Sequence, residues 1–264
     1  MADKPFHPVK AYRDEAFINS HAARPLRILA EYMEPEERFQ AEHVRDTIVI
    51  LGSARILSAD KANEALQAAK NGKGNLAKAQ KDLKMSKYYE DSRELAHRLT
   101  TWSKNLDRED KRFVMCTGGG PGIMEAASRD ASEAKGLNIG LNISLPFEQF
   151  ANPYVTRSLA FEFHYFFMRK FWFAYLSKAI IAMPGGVGTL DELFETLTLM
   201  QTHKIRKKVP IVLYGKEFWD RVVDFDALVD FGTINADDLK LFHRSDSVED
   251  TVEYLTAELT EHHL

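Results

Sequence analysis

The sequence predicts an α/β fold: a Rossmann-like parallel sheet with helices on both faces, plus an N-terminal helical extension. Three observations lead there. Short, nearly unbroken aliphatic runs such as "TIVIL" (47–51) and "AIIAM" (179–183) recur along the chain. Strands buried on both faces need such runs. Stretches with helical spacing separate the runs, as a parallel sheet with crossover helices requires. Two of the runs end in glycine clusters, and a helical pattern follows each at once.

Taken in order, residues 1–45 are polar, with scattered apolar anchors at Leu26, Ile28, Leu29 and Tyr32. They read as an irregular start and one or two helices, a unit distinct from the α/β domain over 46–264. "DTIVILGSAR" is a strand opening into a loop at Gly52-Ser53. Residues 58–85 are rich in Ala and Lys, which favours helix, and Asn71-Gly72-Lys73-Gly74 breaks it. This segment reads as a helical hairpin or a mobile insertion, a solvated stretch of surface. "SKYYEDSRELAHRLTTWSKN" follows with Tyr88, Leu95, Leu99 and Trp102 at helical spacing.

From there the alternation is regular. "RFVMCTGG" is a strand and "PGIMEAASRDASEAKG" a helix ended by Gly136. "NIGLNISLP" and "LAFEFHYF" are strands, "FMRKFWFAYLSK" a helix and "AIIAMPGG" a strand. "GTLDELFETLTLMQTHK" is a helix and "VPIVLYG" a strand. "KEFWDRVVDFDALVDFG" and "SVEDTVEYLTAELTEH" are the last two helices.

Composition narrows the function. In 264 residues, 35 basic side chains stand against 39 acidic ones, a net charge of −4, which argues against a nucleic-acid binder. The single cysteine, Cys116, allows no intrachain disulfide, fits a reducing compartment and reads as core packing. The N-terminus shows no secretory h-region. The longest aromatic stretch is broken by Arg169, Lys170 and Lys178, so no membrane span is expected. These features point to the cytoplasm.

Three loops at the carboxyl ends of strands carry the chemistry: "LGSAR" (51–55), "CTGGGPGIMEA" (116–126) and "MPGGVGT" (183–189). Consecutive glycines let backbone N–H groups approach an anion, and a helix beginning there adds its dipole and free donors. Ser53 or Thr189 can add a hydroxyl. Neither glycine loop is a Walker A, because no Gly-Lys-Ser/Thr follows. Neither is a dinucleotide fingerprint, which counts against an oxidoreductase. Asp191, Glu192 and Glu195 follow in the first turns of a helix, where dipole complementation accounts for any one of them. A carboxylate beside a phosphate seat instead suits work on the neutral part of a phosphorylated ligand. Arg169 within "FFMRKFWF" suits pairing with Glu192 or a bound nucleotide, whereas Lys170 also fits snorkelling. His203 reads as a helix-end residue. "THK" lacks the Ser that a pyridoxal-phosphate lysine motif would carry, and the nine histidines have no metal-ligand spacing.

"PGGVGTLDE" (184–192) resembles the P-G-G-x-G-T-x-x-E signature of the LONELY GUY family, cytokinin-activating phosphoribohydrolases whose bacterial relatives are often labelled lysine decarboxylases. "GGGPGIMEAA", "IGLNISLPFEQFANPY", "FFMRK" and "DELFETLTLMQTHKI" resemble its longer bacterial branch, over about 46–215. The resemblance implies that 46–264 is a Rossmann-like nucleotide-binding catalytic domain. It would hydrolyse the N-glycosidic bond of nucleoside 5′-monophosphates, such as AMP or a cytokinin riboside monophosphate, to free base and ribose 5-phosphate. It implies Arg169 and Glu192 as the catalytic pair. Gly185, Gly186, Gly188 and Thr189 would hold the phosphate, with Ser53, Gly118, Gly119, Gly120, Gly122 and Met168 also at the nucleotide. No cofactor or metal is implied. A homodimer is, with a hexamer as the larger assembly. Short plant-type members have a His two residues before the Arg, where this chain has Phe167. Glu192 would stabilise the oxocarbenium-like state and orient water. A non-catalytic nucleotide sensor on the same fold is the alternative.

Overall fold

The computed structural model describes residues 7–106, 110, 112–145 and 151–264. The first six residues of the N-terminal extension and the "PFEQF" part of the family-like stretch lie outside the described residues. The chain begins with α1 (Glu15–Ile18) and α2 (Arg24–Ala41). It continues through β1 (Thr47–Leu51), α3 (Ala59–Lys70), α4 (Leu76–Lys104), β2 (Val114–Thr117) and α5 (Ile123–Glu133). Then come β3 (Asn138–Ile143), β4 (Ala160–Phe163), α6 (Phe166–Leu176), β5 (Ser177–Ala182) and α7 (Val187–Gln201). The last elements are β6 (Ile211–Tyr214), α8 (Lys216–Val222), α9 (Phe225–Asp230), β7 (His243–Ser245) and α10 (Val248–His263).

Strand parity divides the core into two layers. Val49 and Leu51 of β1, Ile180 and Ala182 of β5, and Ile211 and Leu213 of β6 face one side, with Trp172, Phe173, Leu193, Leu197 and Trp219 from α6, α7 and α8. Ile48, Ile50, Ala179, Ile181 and Val212 face the other, against Leu95 and Leu99 of α4, Ile123 and Ala127 of α5 and Leu255 and Leu259 of α10. Side chains alternate across a strand, so strands apolar at every position fill both layers.

The strands form one sheet in the order β4-β3-β2-β1-β5-β6-β7, and each neighbouring pair is parallel. The order runs outward from β1 in one direction and from β5 in the other. Between them lies the switch point, beyond whose carboxyl ends an open α/β sheet binds ligands.

Three local features differ from the sequence reading. The hairpin over 58–85 forms, with Ser58 and Asn75 capping its arms. Its second arm, however, is the start of the 29-residue α4, because no breaker stands between Asn75 and Asn105. The single helix expected after β6 is two, α8 and α9, because the Asp224 side chain accepts from the Ala227 N–H and starts a new helix. β7 is an added strand of only three residues.

The N-terminal extension packs on the α6 side. Phe39 of α2 meets Phe161 and Trp172 at ring distances of 4.9 and 5.2 Å. Arg38 lies over the Phe161 ring and donates to the Ser158 and Ala160 carbonyls at the start of β4.

Candidate active site

The loops after β1, β2 and β5 are tied to each other through Ser53. Its N–H donates to the Pro184 carbonyl at 3.1 Å, and its carbonyl accepts from the Ile123 N–H at 3.1 Å. These loops surround a cavity of about 660 Å³. Ser53, Gly118, Arg169, Gly185, Gly186, Gly188, Thr189 and Glu192 all line it.

Arg169 and Glu192 form the polar centre. Arg169 Nη1 lies 2.8 Å from Glu192 Oε1, with the side chains 13% and 9% exposed. Arg169 Nε donates to the Leu141 carbonyl at 2.7 Å, and the guanidinium sits 4.9 Å from the Phe173 ring centroid. The guanidinium is thus fixed on three sides. Gly118 supplies the fourth: a Cβ there would fall 2.7 Å from Arg169 Nη2. Burial pushes the Glu192 carboxyl above its ordinary range, and the Arg169 charge pulls against that shift. The result is a carboxyl at the cavity wall that keeps its proton to a higher pH than a solvated one.

Of the three acids after the glycine loop, only Glu192 lines the cavity. Asp191 and Glu195 pair with Lys170 Nζ at 2.8 and 3.1 Å. This resolves Lys170 as an ion-pair partner between α6 and α7. Cys116 is buried in the core, and burial pushes its thiol well above the ordinary range. His203 follows the end of α7 with a φ of 55°, as a helix-terminating residue.

The two glycine loops play different parts. In the first, the Ile123 N–H at the start of α5 is spent on Ser53, and the Gly119 N–H on Thr117 Oγ1. The Gly119 and Gly120 carbonyls accept from Asn152. Gly122 has a φ of 69° and packs on the Ser53 carbonyl, where a Cβ would fall at 2.4 Å. Gly119, Gly120 and Gly122 do not line the cavity, and neither does Met168, which is buried in the core. In this structure these four stand behind the cavity wall. The second loop is open. No side chain caps α7, and the first N–H groups of a helix have no intrahelical acceptor. A Cβ at Gly186 or Gly188 would meet nothing within 4 Å. The free end of α7 therefore faces the cavity with its dipole and donors unspent, an arrangement that suits an anion.

Sequence reasoning missed part of the wall. Arg55 adds a cation, and Ile56, Met85, Met124, Phe173 and Phe218 add an apolar surface. Arg55 stood within the "LGSAR" loop and was legible there. Met85 and Phe218 come from α4 and α8, and no local motif marks them. Among the described residues, no group of His, Cys, Asp or Glu is arranged to hold a metal, and no helix is long and apolar enough to cross a membrane.

A family model described as possible lysine decarboxylase matches residues 124–255, half of the chain. No curated protein matches. Among solved structures, the molybdenum cofactor binding protein of the phototrophic bacterium Rippkaea orientalis is 20% identical with a TM-score of 0.47, over 81% of this chain and 97% of that one. The Moco carrier protein of Chlamydomonas reinhardtii is 20% identical with a TM-score of 0.46, over 82% of this chain and 99% of that one.

Proposed function

The chain belongs to the family described as possible lysine decarboxylase, to which the LONELY GUY resemblance points, and we propose on that premise that it is a nucleoside 5′-monophosphate phosphoribohydrolase. The observation that carries the reading is the buried Arg169–Glu192 pair standing beside the uncapped start of α7 in one cavity. The decarboxylase of the family description has less support. A pyridoxal-phosphate enzyme needs a lysine for its Schiff base, and among the described residues no lysine lines the cavity.

In the proposed reaction the 5′-phosphate sits on the free amides of α7 and the Thr189 hydroxyl. The ribose then lies toward Glu192. Breaking the N-glycosidic bond builds positive charge at C1′, and the Glu192 carboxylate stabilises it and orients the attacking water. Arg169 keeps Glu192 ionised and aimed. The apolar surface of Met85 and Phe218 receives the base. Phosphate binding fixes the sugar at a distance from the reacting bond, so unphosphorylated nucleosides turn over poorly. A homodimer belongs to the same proposal, supported by the exposed Phe166, Phe167 and Tyr175 of α6.

The test is chromatography of free base after incubation with AMP, GMP, CMP, UMP, IMP and isopentenyl-AMP, with adenosine alongside. Base release from monophosphates but not from adenosine is the expected result. No release from any nucleotide, with AMP binding intact, would replace the enzyme by the nucleotide sensor.

A further inference from the structure

Helix α6 carries Arg169 but does not cap its own start. Tyr165 stands at the N-cap position and makes no side-chain capping bond. The cap comes from the N-terminal extension. Glu31 of α2 accepts from the His164 N–H at 2.8 Å through Oε1 and from the Tyr165 N–H at 3.2 Å through Oε2. Its charge complements the helix dipole at that end.

Glu31 holds α6 a second time, through its backbone. Pro35 lies inside α2 and has no N–H, so the carbonyl four residues earlier, that of Glu31, has no intrahelical donor. Trp172 Nε1 donates to that carbonyl at 3.0 Å. Tyr32 stacks on Trp172 with ring centroids 5.8 Å apart. Arg169 stands between the two grips, and its own N–H bonds the Tyr165 carbonyl at 3.2 Å. Its guanidinium has no slack, being enclosed by Leu141, Glu192, Phe173 and the bare Gly118. A small shift of α6 must break one of these contacts or drive the side chain into another.

We propose that Glu31 is a positioning residue: through it, the N-terminal extension sets α6 so that Arg169 is aimed at Glu192. The proposal rests on reading Arg169 and Glu192 as the working pair. It makes the extension part of the site's machinery, although α2 contributes no residue to the cavity lining.

The experiment compares wild type, Glu31→Ala, Glu31→Gln, Arg169→Ala and the double variant Glu31→Ala/Arg169→Ala. Each is assayed at a temperature where circular dichroism shows it folded. Glu31→Ala is expected to lower kcat by about 10- to 100-fold, the range for a displaced site group, with KM nearly unchanged. Glu31→Gln keeps an acceptor oxygen and restores much of the loss. In the Arg169→Ala background, Glu31→Ala causes no further fall, because the two act through one contact. Unchanged kcat in Glu31→Ala, or the same loss in both backgrounds, overturns the proposal. A second arm does not depend on turnover. The Arg169 Nε–H resonance, assigned by its loss in Arg169→Ala, is followed by ¹⁵N NMR. Glu31→Ala is expected to speed its solvent exchange by roughly ten-fold or more as local opening eases, and Glu31→Gln much less. If wild type releases no base, the phosphoribohydrolase reading fails while this arm still decides the role of Glu31. Unchanged exchange overturns that role.

Discussion

Thr189→Val tests the anion seat directly. Thr189 is the third residue of α7 and is 7% exposed. Among the described residues its hydroxyl has no hydrogen-bond partner. Valine has the same shape and a similar helix propensity, so the protein loses no contact by the change. The hydroxyl is not among the buried polar atoms left without a partner and opens to the cavity, so stability should stay within about 0.5 kcal/mol. Binding should change. A hydrogen bond to a charged group contributes about 1.5–3 kcal/mol, which corresponds to roughly 10- to 150-fold in Kd. Isothermal titration with AMP, ribose 5-phosphate and adenosine, alongside urea unfolding, reads both quantities. AMP and ribose 5-phosphate should weaken by that factor while adenosine does not change. Unchanged AMP affinity would refute the placement of the phosphate at α7. Equal weakening of AMP and adenosine would show that Thr189 meets the nucleoside instead.

Two further expectations concern buried charge. Glu192→Ala leaves Arg169 buried without its partner and should cost about 3 kcal/mol in urea unfolding, the low end for a broken buried pair because Leu141 and Phe173 still hold the guanidinium. Glu192→Gln keeps an acceptor and should lose less stability, yet turnover should still fall by roughly 10²- to 10⁴-fold; turnover close to wild type would remove Glu192 from the chemistry. Because burial raises the Glu192 carboxyl above 4.5, its ionised form is lost as pH falls through that raised value. The acid limb of kcat/KM should therefore lie above pH 4.5, and a limb at or below it contradicts the assignment. Lys207 caps the end of α6 through the Ala174 and Tyr175 carbonyls, and burial first, then Lys178, pushes its ammonium down to about 8. The unfolded chain binds that proton up to about pH 10.4, so the unfolded state holds more protons between the two values and stability should rise with pH across that window. Lys207→Met should abolish the rise, as read by unfolding at pH 7, 9 and 10; a slope that survives would assign it to another group.

The parts of the fold legible in the sequence were those in which local pattern and tertiary demand agree. Residues 48–51 of β1 and 179–182 of β5 are buried on both faces and read as apolar runs. The glycine loops announced strand–turn–helix junctions, and "PGGVGT" sits at the uncapped helix start. β7 gave no such signal: "HRS" is polar, and two of its three residues are only half-buried. Its pairing with β6 exists only once the sheet is assembled. In the site, Arg169 and Glu192 were legible as charges placed in apolar or glycine-rich surroundings. The packing of Gly119, Gly120 and Gly122 was not. A glycine that clears space for a ligand and one that turns the backbone against a neighbouring loop look alike in sequence. Glu31 reads as one acid among several in a polar helix, and nothing local marks it as the cap of a helix more than 130 residues later.

The contact of Arg38 with the chain at the start of β4 bears on how the protein behaves at high concentration. An edge strand with free carbonyls and amides is a template for pairing with another chain. At one edge of this sheet, two carbonyls at Ser158 and Ala160 are already occupied by a guanidinium. At the other edge, β7 is only three residues long. Recruitment of a foreign strand is thus hindered at both margins. At the β4 margin that hindrance comes from Arg38 of the N-terminal extension, a contact separate from its grip on α6.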